Sequence, residues 1–173
     1  MTELEVQGRT TLQCAGGSLE FDAEGRVTVS AAGVPQVEKF IPDLSLSNWV
    51  EVWCGEDLAC FVGEKGRTVW CARPSVGQLF KVLDLDRLDL RGAYDPGGLH
   101  RVEFQELEDG DLLVVHELGI ARIGRDGSPC WQQVHDQLAA HFAGIEGGAA
   151  WLRGECDRFG FDLQDGRPVI SLR

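Results

Sequence analysis

The chain has 173 residues, 43% of them hydrophobic, with 28 acids against 16 bases and a formal net charge of −12. A chain of this length holds one domain, 1–173, whose core removes roughly two-thirds of the unfolded surface from water, and the composition excludes a disordered polymer. The negative charge opposes binding to nucleic-acid phosphates and to anionic membrane surfaces, keeps the protein soluble, and would steer in a basic partner.

No apolar run approaches the ~20 residues that span a bilayer. The opening MTELEVQGRTT lacks the apolar segment of a secretory signal, so a cytoplasmic protein is expected. Thirteen arginines against three lysines (Lys39, Lys65, Lys81) suit a GC-rich, bacterial genome. Six cysteines, Cys14, Cys54, Cys60, Cys71, Cys130 and Cys156, form no CxxC pair and match no zinc spacing. In a cytoplasm they are expected to be reduced, and those in runs such as VWC and ACF should behave as small core hydrophobes.

Short runs of period two dominate the chain. Ser18–Asp22 and Arg26–Ser30, joined by Ala23-Glu24-Gly25, read as a hairpin. Over Val34–Ser47, Pro35 and Pro42 exclude a central strand and leave a loop with one short edge strand. Asn48–Cys54 pairs with Leu58–Val62 across Gly55-Glu56-Asp57. The continuous Trp49, Val50, Val52 and Trp53 imply burial on two sides or a bulge. Thr68–Ala72 follows as a strand. Ser75–Leu90 is balanced between a short helix, from Val76, Leu79, Phe80 and Leu83, and an irregular strand. Arg91–Gly98 is a loop.

A repeat occupies the C-terminal end. Leu112–Gln133 lies on Trp151–Leu172 without a gap at an offset of 39 residues, matching Leu113 to Leu152, Ile120 to Phe159 and Asp126-Gly127 to Asp165-Gly166. The units are 101–134 and 140–172. The first reads as strands at Arg101–Leu107, Asp111–Glu117, Ile120–Gly124 and Pro129–Val134. The second reads as His141–Ile145, Ala149–Arg153, Arg158–Asp162 and Pro168–Leu172. Asp-Gly turns close the third hairpin of each, with glycine at positive φ. A helix over Gln133–Phe142 competes with the strands on either side of it.

The order of inner apolar strand, return strand, Asp-Gly hairpin and aromatic fourth strand resembles the blade repeats of quinoprotein-type and WD-type β-propellers. The residues that carry the likeness are Leu112–Val115, Ile120–Ile123, Asp126-Gly127 and Trp131. The resemblance implies an all-β, mainly antiparallel fold: a meander of blade-like four-stranded sheets, arranged as a partial or small propeller or a sandwich, with room for one short helix. The docking Trp131 becomes Ile170 in the last copy, and the Gly-His and Trp-Asp signatures of WD repeats are missing. No cofactor is carried over.

Signatures of catalysis are missing as well. The four histidines form no HxH or HExxH, and His116 and Glu117, neighbours on one strand, point to opposite faces. Asp84, Asp86 and Asp89 lack the central Gly and terminal Glu of a calcium loop. There is no nucleophile elbow and no phosphate-binding glycine loop. No metal or cofactor is expected. Five tryptophans suit a core, but Trp49 and Trp53 would make a binding patch if they shared an exposed strand face.

The expected function is a non-catalytic protein-interaction module, in its most specific form an immunity-type protein masking a basic toxin. A small-ligand binder or enzyme is the alternative, with a pocket lined by Trp and by Asp111, His116 or Glu117. The candidate binding residues are therefore Trp49, Trp53, Asp111, His116 and Glu117. Sheet edges also offer a route to oligomers.

Overall fold

The computed structural model describes residues 2–88, 97–135, 137, 140–154 and 157–169. The chain is all-β, with four antiparallel sheets and, among the described residues, only short 3-10 turns as helix. The strands fall into two compact units, one built from the first nine strands and one from the last eight.

In the first unit, β2 (Arg9–Cys14), β3 (Gly17–Asp22), β4 (Arg26–Ala31) and β5 (Val34–Phe40) make a four-stranded meander. The expected hairpin is β3–β4, closed at Gly25 with φ 86°. Pro35 lies near the start of β5, an edge strand, as its missing N–H requires. The second sheet runs β1 (Thr2–Glu5), β6 (Trp49–Cys54), β7 (Ala59–Gly63), β8 (Thr68–Arg73) and β9 (Gln78–Asp84). Strand β1 returns to this sheet across β6 rather than joining its sequence neighbours.

Leu19, Phe21, Val27 and Val29 from the meander pack with Val50, Val52, Ala59, Phe61, Trp70 and Ala72 into one core. Phe21 and Phe61 meet edge to face at 5.2 Å. Full burial of such a side chain contributes about 2 kcal/mol.

Two expectations change here. Strand β6 is not apolar on both sides: Val50 and Val52 are buried, while Trp49 faces outward and Trp53 is half-buried. Ser75–Leu90 resolves into strand β9 between 3-10 turns at Pro74–Val76 and Leu85–Arg87. Val82 is the extra residue of a bulge, since Leu83 pairs with Val69 and Lys81 with Trp70. A bulge turns period-two spacing into a step of three, which imitates a helix in the sequence. Leu90 lies outside the described residues.

The second unit holds two four-stranded meanders. One is β10 (Val102–Glu106), β11 (Leu112–His116), β12 (Gly119–Ile123) and β13 (Pro129–Val134). The other is β14 (His141–Glu146), β15 (Ala149–Arg153), β16 (Arg158–Asp162) and β17 (Pro168–Val169). Strands β12 and β16, and the starts of β13 and β17, sit 39 residues apart, whereas the starts of β11 and β15 sit 37 apart. Gly127 and Gly166 take φ 85° and 73° in the two Asp-Gly turns. Gln133–Val134 belong to β13 and His141–Phe142 to β14, so both ends of the expected helix over 133–142 are strand, while Asp136, Leu138 and Ala139 lie outside the described residues. Leu113, Val115, Ile120, Ala150, Leu152 and Phe161 form this unit's core.

Candidate functional site

Trp49 and Trp53 lie on the same side of β6, four residues and roughly 13 Å apart along the strand, with Glu51 between them. Trp49 is 43% exposed, and the Trp53 ring lies over the backbone of Gly55. The register of β1 sets Glu5 opposite Trp49 and Glu3 opposite Glu51. Directly paired residues share a face, so two tryptophans and three glutamates make one strip along β6 and β1, on a face that becomes buried at Val62 and Cys60 of β7. On the other flank the N–H of Glu64 donates to the carbonyl of Trp49. The alternation that aims the tryptophans outward is the one that buries Val50 and Val52.

The other tryptophans are engaged elsewhere. Trp70 is buried and donates to the Thr68 hydroxyl, with Lys39 4.5 Å above its ring. Trp151 donates to the Glu146 carbonyl beneath Arg158. Trp131 donates its indole N–H to the Leu163 carbonyl at 2.9 Å and stacks on Gly166. It therefore fastens the first meander of its unit to the second, the docking role its place in the blade pattern implies.

Asp111, His116 and Glu117 do not meet. Asp111 precedes β11 and His116 ends it, about 17 Å away along the strand. His116 is 1% exposed. Its Nδ1 accepts the Leu118 N–H, and its Nε2 makes no hydrogen bond among the described residues. Burial, with His135 nearby, pushes its pKa down to about 3. Glu117 lies in the turn after β11 and accepts the Arg101 N–H.

Asp111 instead belongs to an open cleft of about 600 Å³, lined among others by Asp109, Arg122, Cys130, Asp162 and Gln164. At its centre Arg122 donates to Asp111 at 2.7 Å, to Asp109 at 2.6 Å and to the Leu163 carbonyl at 2.6 Å. Partial burial works against the Arg122 charge, but Asp111 and Asp109 outweigh it and raise its pKa. The thiol of Cys130 is raised too, first by burial and then by Asp111, which leaves it a poor nucleophile. The arginine is thus saturated by its own chain. The sequence offered only a weak hint of this cleft, in the two aspartates ahead of β11.

Two cysteines are core residues as expected, but they are not reduced. Cys60 and Cys71, a registered pair on β7 and β8, are fully buried and joined by a disulfide. Cys14 is half-buried, and Cys54 and Cys130 are exposed, so these three are not core thiols. Cys156 lies outside the described residues. No cluster of three or more metal-ligating side chains occurs among the described residues.

The four-stranded antiparallel meanders, with Asp-Gly hairpins and a docking tryptophan, are of the β-propeller blade type. Among solved structures, the chain is similar to an extracellular domain assigned to a one-component system of B. thetaiotaomicron, at 10% identity and a TM-score of 0.50. It is also similar to BamB from Moraxella catarrhalis, at 11% identity and a TM-score of 0.47. The alignments cover 98% of this chain, but 28% of the former and 49% of the latter. The likeness concerns the fold. No family model and no curated protein matches the sequence.

Proposed function

We propose that the protein is a non-catalytic protein-interaction module that binds a basic segment of a partner on its Trp49–Trp53 face. The observation that carries this reading is the strip itself, with Trp49 43% exposed in line with Trp53 and with Glu3, Glu5 and Glu51 on the same face. Tryptophan faces attract guanidinium and ammonium groups, and adjacent carboxylates add charge-assisted hydrogen bonds. The net charge of −12 would speed the encounter. An immunity-type role against a basic toxin is the most specific form of this proposal.

A bacterial, cytoplasmic setting belongs to the same proposal. Burial of the Cys60–Cys71 bond would shield it from cellular thiols there.

The test is fluorescence anisotropy with labelled arginine-rich and lysine-rich decapeptides, using acidic decapeptides as controls. The basic peptides are expected to bind, with affinity falling as salt rises. Trp49→Ala should weaken binding roughly tenfold, as should the paired reversal Glu3→Lys with Glu5→Lys. Equal affinity for the Trp49→Ala protein, or no preference for basic peptides, overturns the proposal.

A further inference from the structure

Two cysteines of the first unit end strands from two different sheets whose following turns touch. Cys14 closes β2 and Cys54 closes β6. The turn after β2 sits against the turn after β6: a Cβ placed on Gly16 would stand 3.0 Å from Asp57 Oδ1. Asp57 also accepts the N–H and hydroxyl of Ser75, which fixes that turn in place. Cys14 packs on the core cluster that contains Ala59, the residue paired with Cys54. Cys54 follows the alternation of the buried Val50 and Val52, and Cys14 packs against the core that they form, so both side chains point between the two sheets.

We propose that Cys14 and Cys54 are a dithiol–disulfide site, oxidised by exchange with a low-molecular-weight or protein disulfide. The pair has unequal members. Cys54 is exposed, and its pKa is lowered, first by the hydrogen bond from Cys14. Cys14 is half-buried, and its pKa is raised, first by that same bond and then by burial. Cys54 is therefore the attacking thiolate and Cys14 the resolving thiol.

Cys54 thiolate attacks one sulfur of the oxidant, forming a mixed disulfide and expelling one thiolate. Cys14, giving up its proton, then attacks the Cys54 sulfur and expels the second. The net change is two protein thiols and one disulfide converted to one protein disulfide and two small thiols. The bond would lock the β2–β3 hairpin to the β6–β7 hairpin. Cys60 and Cys71 are already joined and buried, which leaves them outside this exchange.

The experiment treats the full chain with oxidised glutathione near pH 8 and maps peptides by mass spectrometry without reduction. The expected product is a Cys14–Cys54 linked peptide, reversed by excess reduced glutathione. Cys14→Ser should instead trap a glutathione adduct on Cys54, and Cys54→Ser should react several-fold more slowly, at Cys14. The wild-type map is decisive even if a variant folds poorly. A stable glutathione adduct on wild-type Cys54, a bond from Cys54 to Cys130, or a bond to a second copy overturns the proposal.

Discussion

His116 illustrates what one buried side chain does to the whole stability curve. The folded chain holds it neutral down to about pH 3, whereas the unfolded chain takes up a proton near pH 6.5. A group with a depressed folded pKa of this kind favours unfolding as pH falls from 6.5 toward 3, and the full stability is present above 6.5. At pH 5 the loss from this residue is about 2 kcal/mol relative to pH 7.5. Urea midpoints at the two pH values measure it. His116→Asn, which keeps an acceptor for the Leu118 N–H, should flatten that dependence, and an unchanged slope would show that burial of His116 is not its source. At the same scale, Arg122→Ala leaves Asp109 and Asp111 facing each other without a cation and leaves the Leu163 carbonyl with the Trp131 indole as its donor. A loss of about 2 kcal/mol is expected by urea denaturation.

Between elements, the tie from Trp131 to the Leu163–Gly166 turn is the clearest joint. Gly166 has φ 73°, and a Cβ there would lie 2.7 Å from the indole ring. Gly166→Ala should therefore cost about 2 kcal/mol or more, from backbone strain and a displaced tryptophan. With Trp131→Ala in place the clash disappears, so the double variant should lose less than the sum of the two single losses. The loss is read from thermal melts of the single and double variants.

This joint was legible in the sequence because turn chemistry is local: Asp-Gly and a following Pro-led strand recur at a fixed offset. Strand β1 was not, since its pairing with β6 spans more than forty residues and its acids look like surface. Strand β9 was obscured by the Val82 bulge, which shifts the period. The Trp49–Trp53 strip was legible as a residue list, but its exposure was not. Alternation says that two faces differ and does not say which one is covered. The pairing of Asp111 with Arg122 needed the register of β11 on β12, which joins residues eleven positions apart.

Across the whole molecule, the acidic charge has two different uses. Asp22, Asp84, Asp109, Asp126, Asp162 and Asp165 each accept a backbone N–H two residues on, closing turns. Asp84 is further paired with Lys81 and Arg87. Aspartate is thus largely committed to the fold, whereas glutamates line the tryptophan strip. The edge strand β5, with Pro35, Glu38 and Lys39, discourages pairing with another chain. The strip on β6 and β1 is the face proposed for a partner.

The indole N–H resonances of the five tryptophans, followed by NMR during titration with an arginine-rich decapeptide, test this directly. Trp49 and Trp53 should shift in proportion to binding, while Trp70 and Trp131, held by Thr68 and Leu163, stay in place. Shifts confined to Trp131 or Trp151, or none at all, would contradict the assignment of the binding face.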